Sequence, residues 1–103
     1  MSKAANKPES VGAILDRLLK RLEIDKKIDE GKALELWAGA AGPRLAAMTR
    51  AAAVIRGRLT VECRSPAWAN ECRMLKTKLV EKLNRELGRE IVNDIVFKTG
   101  DFN

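Results

Sequence analysis

The side chains that could carry out covalent or metal chemistry are few in this sequence. Its 103 residues contain no histidine, which excludes Ser-His-Asp and Cys-His catalysis and histidine-ligated zinc. Cys63 and Cys72 are the only thiols, and the eight residues between them do not match the short spacing of a zinc-binding cysteine pair. A strand followed by a helix would displace the two cysteines by ~10 Å, beyond the ~7 Å that a disulfide spans. We therefore predict two small, buried, unbridged cysteines.

Acidic side chains are scattered along the sequence, and no pair of them stands beside a nucleophile or a base. Asp94, within or just before the last predicted strand, is expected to be a solvated or turn-capping residue rather than a catalytic acid. The phosphate-binding pattern G-x-x-x-x-G-K-[ST] does not occur. The sequence therefore predicts a protein that is not an enzyme and that uses no metal, no cofactor and no small-molecule substrate.

The basic residues are the more informative group. Twenty Lys plus Arg against fourteen Asp plus Glu give a net charge of +6, which fits either a surface that attracts polyanions or a charge excess that serves solubility and steering. Arginine binds two phosphate oxygens at once and stays charged, so arginines around a predicted hairpin are candidates for phosphate contact. On the third predicted helix, Lys82 and Arg85 could equally form weak surface ion pairs with Glu86 and Glu81. The nucleic-acid candidates are Arg56, Arg58, Arg64, Lys78, Lys82 and Arg85.

The segment Gly39 to Gly42 matches the GxxG loop with which KH domains hold a nucleic-acid backbone. A KH loop joins two helices after a strand, whereas no strand is predicted before this segment, and the loop carries no Lys or Arg. The glycines are expected to end a helix and to let the chain pass close to its neighbours.

Periodicity and capping signals divide the chain into a leader over residues 1–9, one domain over 10–99 and a short tail over 100–103. Ser10 caps a first predicted helix with an apolar stripe to Leu22, and a second helix follows the charged stretch 25–27 and runs to about Ala40. Apolar and alternating residues from 51 to 63 predict a hairpin around Arg56-Gly57, with either a two-residue type I′ loop or a longer bulged loop. A third helix over 65–87 ends at Gly88, and a last strand covers 91–98.

The predicted order is ααββαβ, an α+β domain whose helices cover one face of a small three-stranded antiparallel sheet. No run of about 18 apolar residues suggests a membrane span, and the start of the chain lacks the apolar segment of a signal peptide, so we expect a cytoplasmic protein without membrane contact. The predicted core residues are Leu15, Leu18, Leu22, Trp37, Leu59, Val61, Trp68, Leu75, Leu79 and Leu83.

An ordered set of residues resembles a known bacterial family. The set comprises Trp37, Gly42, Ala46, Thr49, Arg56 to Val61, Ser65 to Ala69, Leu75, Leu79, Leu83-Asn84, Gly88 and Ile95 to Lys98. This combination is similar to the DciA family, long catalogued as a domain of unknown function, over about residues 11 to 99. The resemblance implies a KH-like domain that binds the DnaB-type replicative helicase and assists its loading in replication initiation, and we expect the arginines near the hairpin to contact single-stranded DNA. Two alternatives stay open: an RNA-binding KH-like module, and an adaptor that binds protein only.

Overall fold

Seven elements follow one another in the computed structural model, which describes residues 10–102. They are α1 (Val11–Ala41), α2 (Pro43–Met48), β1 (Thr49–Ile55), β2 (Arg58–Cys63), α3 (Pro66–Met74), α4 (Lys76–Leu87) and β3 (Asp94–Thr99). The α+β class is confirmed, and so is the order ααββαβ when α3 and α4, which meet at Leu75, are taken as one helical element. The predicted leader, residues 1–9, lies outside the described residues.

The first helix is a single element of 31 residues where the sequence predicted two. Its start is as expected, since Ser10 Oγ accepts a hydrogen bond from the Ala13 amide at 3.1 Å. The predicted break at residues 25–27 is wrong because charged residues such as lysine are tolerated in helices and nothing there disrupts the backbone. The helix ends where Gly42 adopts a φ of 88° ahead of Pro43. No helix in the described part of the chain has the length and apolar character needed to cross a membrane.

Only the second half of α1 packs on the rest of the domain. Its buried residues begin at Asp29 and continue through Trp37 to Ala40. The prediction that Leu15, Leu18 and Leu22 belong to the core is wrong: their exposed fractions are 52%, 54% and 63%. The apolar stripe of that helix half is present, but no other element among residues 10–102 covers it.

The hairpin between β1 and β2 has the shorter of the two predicted loops. Ile55 pairs with Arg58, and the two loop residues Arg56 and Gly57 have φ angles of 53° and 80°. Positive φ at both positions defines a type I′ turn, whose twist matches the flanking strands. Arg56 therefore occupies a conformation that non-glycine residues seldom adopt.

The sheet is mixed, so the prediction of a purely antiparallel sheet is wrong. Strand β2 lies in the centre, antiparallel to β1 and parallel to β3. The parallel pair arises because α3 and α4 return the chain to the end of the sheet at which β2 began, so that Arg58 pairs with Asp94.

The helical segment between β2 and β3 starts and stops at the predicted signals. Ser65 Oγ accepts a hydrogen bond from the Trp68 amide at 3.4 Å with Pro66 in the first turn, and Gly88 ends α4 in the left-handed conformation. The segment is interrupted at Leu75, which separates α3 from α4. The helices cover one face of the sheet and enclose the core with it.

Five of the predicted core residues are buried and two are half-buried. The buried ones are Trp37, Leu59, Val61, Leu79 and Leu83. Trp68 and Leu75 pack at the margin of the same cluster. No helix among residues 10–102 covers the opposite face of the sheet, on which Arg58, Val96 and Lys98 are exposed.

Candidate nucleic-acid interface

The tip of the β1–β2 hairpin collects three basic side chains, Arg56, Arg58 and Lys76, which we call the tip cluster. Arg56 is exposed in the turn, and the Arg58 side chain is 65% exposed. Lys76, the first residue of α4, reaches the same place because its Nζ lies 3.1 Å from Oδ1 of Asp94. The sequence analysis did not single out Lys76, since only the parallel pairing of β2 and β3 brings the start of α4 to the hairpin tip.

Asp94 is the acidic residue at the centre of the tip cluster. Its Oδ2 lies 3.8 Å from Nε of Arg58, in addition to the closer contact with Lys76. The hydrogen bond from Lys76 is the largest influence and lowers the pKa of Asp94 below its ordinary value, against a smaller opposing effect of burial. Asp94 is therefore a paired carboxylate with a positioning role, which does not fit a catalytic acid.

The backbone holds the tip in one conformation. The Gly57 carbonyl accepts a hydrogen bond from the Asn93 amide at 2.8 Å, and the Gly57 amide donates to Oε2 of Glu30 in α1 at 3.4 Å. These contacts connect the turn to the segment before β3 and to the long helix. The tip arginines are thus carried by an anchored turn.

Arg64 does not join the tip cluster. It follows the last residue of β2, so the length of the six-residue strand, ~20 Å, separates it from Arg58. There its guanidinium lies 5.1 Å from the ring centroid of Phe102, and the guanidinium of Arg50 lies 4.7 Å from the same ring. We call Arg50 and Arg64 the strand-end arginines; they stack on an aromatic ring by cation–π contact.

The three basic residues predicted on the third helix share one flank of α4. Lys78, Lys82 and Arg85 are exposed at intervals of four and three residues, and we call them the α4 basic flank. No ion pair among residues 10–102 engages any of them, so the suggested pairing with Glu81 and Glu86 is not observed. Lys76 lies three residues before the buried Leu79 and Lys82 lies three residues after it. Their side chains therefore project on opposite flanks of the helix. The α4 basic flank is therefore turned away from the tip cluster.

The open face of the sheet carries further polar and basic residues that the sequence analysis missed. The missed basic residues are Arg50 and Lys98, and together with the predicted Arg58 they surround a small apolar centre formed by Ala53 and Val96. Arg50 is partly neutralised by Glu62, whose Oε1 lies 3.0 Å from its Nε. The alternation of buried and exposed residues along β3 was the sequence signal that could have identified Lys98.

The GxxG segment does not occupy the position that a KH loop requires. Gly39 and Gly42 lie at the junction of α1 and α2, ahead of the first strand. The two helices that connect the parallel strands β2 and β3 are joined at Leu75, where no glycine stands.

The prediction of two small, buried, unbridged cysteines is confirmed. Cys63 at the end of β2 and Cys72 in α3 are both fully buried and free. Burial raises the pKa of both thiols, that of Cys72 to about 12. Among residues 10–102 no three Cys, Asp or Glu side chains form a metal-binding group.

Comparison with known proteins defines the class to which this fold and surface belong. A family model described as "Dna[CI] antecedent, DciA" matches residues 10–97, and the chain therefore belongs to the DciA family. A UPF0232 protein of Mycolicibacterium smegmatis is 29% identical over 91 residues, which cover 88% of this chain and 47% of the relative. A UPF0232 protein of Rhodococcus jostii is 27% identical over 88 residues, covering 85% and 47%. The chain thus spans about half the length of the curated relatives it matches.

Proposed function

We propose that this protein is a non-enzymatic adaptor that binds the DnaB-type replicative helicase and assists its loading onto DNA in the cytoplasm. Membership of the DciA family, which extends over nearly all described residues, is the observation that carries this proposal. The nature of the surface supports it, because the exposed basic and apolar groups suit contact with macromolecules and the described cysteines are buried and unreactive. A KH-like fold is part of the proposal, supported by the two helices that join parallel strands β2 and β3.

The helicase contact is tested by capture from a native lysate with the immobilised full chain, with and without nuclease. The proposed role predicts that a hexameric helicase is retained after nuclease treatment, because the contact is between proteins. Loss of the helicase on nuclease treatment would show that the two are connected only through DNA, and absence of helicase from both samples would remove the proposed role.

We further propose that single-stranded DNA is bound through the tip cluster. Arg56 is unpaired among residues 10–102 and points from an anchored turn, and Arg58 is paired only at 3.8 Å with a carboxylate that Lys76 already engages. The three basic side chains of the cluster stand against two carboxylates, those of Asp94 and Glu30, so the tip keeps an excess of positive charge. Phosphate groups would take the place of water around these side chains, with little ordering cost for the backbone.

A salt titration of single-stranded DNA binding distinguishes phosphate contact from general charge attraction. Each neutralised phosphate contributes about −0.7 to the log–log slope of affinity against salt, so replacing two contacting arginines should reduce the slope by about 1.4. The test variant is Arg56→Glu with Arg58→Glu. The matched control is Lys20→Glu with Lys27→Glu, which makes the same charge change on the exposed half of α1. Equal losses in the two variants would contradict the proposed site.

A second candidate function, an adaptor that binds protein only, is favoured by one observation. The six basic candidates are distributed over the tip, the far end of β2 and the outer flank of α4 instead of forming one patch. This alternative predicts helicase capture together with a salt slope near zero. An RNA-binding module would instead prefer RNA to DNA of equal length.

A further inference from the structure

The first half of α1 presents an apolar stripe that the rest of the described chain leaves uncovered. The exposed fractions of its members run from 42% to 81%, although all are large aliphatic side chains. We define the α1 stripe as Val11, Ile14, Leu15, Leu18, Leu19 and Leu22. Burial within the domain begins only at Asp29, so this helix half extends about 27 Å beyond the packed body.

A helix of this kind needs a partner. Isolated helices of this length are marginal in water, and an amphipathic helix is normally stabilised by burying its apolar stripe. The α1 stripe is also a contiguous apolar patch, unlike the single apolar residues that are common on protein surfaces.

We propose that the α1 stripe pairs with the same stripe of a second copy of this chain, with the two helices antiparallel. The spacing of the stripe carries the proposal, because positions 11, 14, 15, 18, 19 and 22 form the same pattern when read backwards. An antiparallel pair centred between residues 16 and 17 therefore sets Val11 opposite the partner's Leu22 and Leu15 opposite the partner's Leu18. Every residue of the α1 stripe then faces another residue of the partner's stripe.

The charges beside the stripe select this orientation. Asp25 lies seven residues after Leu18, so in a parallel pair it would face the partner's Asp25. Arg21 would lie beside the partner's Lys26. Both contacts place like charges together at or next to the seam. The antiparallel arrangement avoids them because its paired segment ends at Leu22.

The dimensions indicate a weak dimer with separated bodies. The paired segment of 12 residues is about 18 Å long, and it offers fewer residues than the 20–30 a side that are typical of a standard interface. We expect dissociation constants on the order of 10 to 100 μM. Asp29 lies about 19 Å from the centre of the pair, so the two packed bodies sit at opposite ends of it.

Sedimentation equilibrium or light scattering of the full chain between about 5 and about 500 μM tests the proposal. The expected result is a reversible monomer–dimer equilibrium, weakened at least about tenfold by Leu18→Glu and unchanged by Lys20→Glu, a control on the opposite side of the same helix. A monomer over the whole range would overturn the proposal, and so would a dimer that Leu18→Glu leaves intact.

Disulfide trapping tests the orientation without depending on the helicity of the variant. Leu15→Cys and Leu18→Cys chains, mixed and oxidised, should give the mixed disulfide faster than either self-linked species; the native cysteines do not compete because both are fully buried. Preferential self-linking of Leu18→Cys would overturn the antiparallel arrangement. These readouts involve neither helicase nor DNA, so their failure and the failure of the proposed function are distinguishable.

Discussion

The indole Nε1 of Trp37 donates a hydrogen bond to Oγ1 of Thr49 at 2.9 Å, and the hydroxyl of Thr49 in turn donates to the carbonyl of Leu45 at 2.7 Å. Both residues are buried, and the two bonds connect α1, α2 and β1. Trp37 also packs against Phe97 with ring centroids 6.3 Å apart. Two residues of the family pattern that stand twelve positions apart are therefore parts of one buried polar contact.

Replacing Thr49 by Val should destabilise the domain by about 1–3 kcal/mol, because the near-isosteric side chain leaves the buried indole N–H and the Leu45 carbonyl without partners. Urea unfolding followed by tryptophan fluorescence measures the change. Thr49→Ser keeps the hydroxyl and serves as the control, with an expected smaller loss. Equal stability of Thr49→Val and the parent would show that water satisfies these groups.

Asn84 holds the segment that leads into β3. Its Oδ1 accepts hydrogen bonds from the amides of Ile91 and Val92, and its Nδ2 donates to the Val92 carbonyl at 2.7 Å. Asn84→Ala should cost about 2–4 kcal/mol, since three bonds are lost and the amide and carbonyl of the buried Val92 lose their Asn84 partner, whereas the Ile91 amide keeps its bond to the Arg89 carbonyl. Hydrogen exchange of the Ile91 and Val92 amides should accelerate. The control is Asn70→Ala, at an exposed position of α3, which should leave both measurements unchanged.

The turn residues Arg56 and Gly57 should respond to substitution in opposite directions. A Cβ on Gly57 would lie 2.5 Å from Nδ2 of Asn93 and would also have to accept a φ of 80°, so Gly57→Ala should destabilise by about 1–3 kcal/mol. Arg56→Asn should stabilise by roughly 0.5–1 kcal/mol, because Asn tolerates the left-handed conformation better than Arg. Thermal unfolding measures both changes. A destabilised Arg56→Asn protein would contradict the assigned turn type.

The thiol of Cys72 should make stability fall at alkaline pH. Burial raises its pKa from 9.0 to about 12 in the folded protein, so its contribution is complete below pH 9 and is lost as the pH rises toward 12, while the unfolded chain ionises first. By pH 10 the loss from this thiol is about 1.4 kcal/mol. Urea unfolding at pH 8, 9 and 10 under reducing conditions tests the trend. Cys72→Ala keeps every lysine and should show a shallower decline, whereas an equal decline would assign the effect to other groups.

Sequence alone was sufficient wherever the signal lies within a few residues. Ser10, Ser65-Pro66 and Gly88 marked helix ends that the structure confirms, because capping depends on side chains within one turn of the backbone they serve. The two-residue loop at Arg56-Gly57 was one of two local alternatives. The ordered residues from Trp37 to Lys98 were sufficient to identify the DciA family.

Other properties depended on contacts between segments distant in the chain. The parallel pairing of β2 with β3, which brings Lys76 and Asp94 to the hairpin tip, follows from the path of α3 and α4 and not from any local pattern. Leu15, Leu18 and Leu22 have the periodicity of core residues, but periodicity states only that a stripe exists. Tertiary packing decides what covers a stripe, and within this chain nothing among residues 10–102 does.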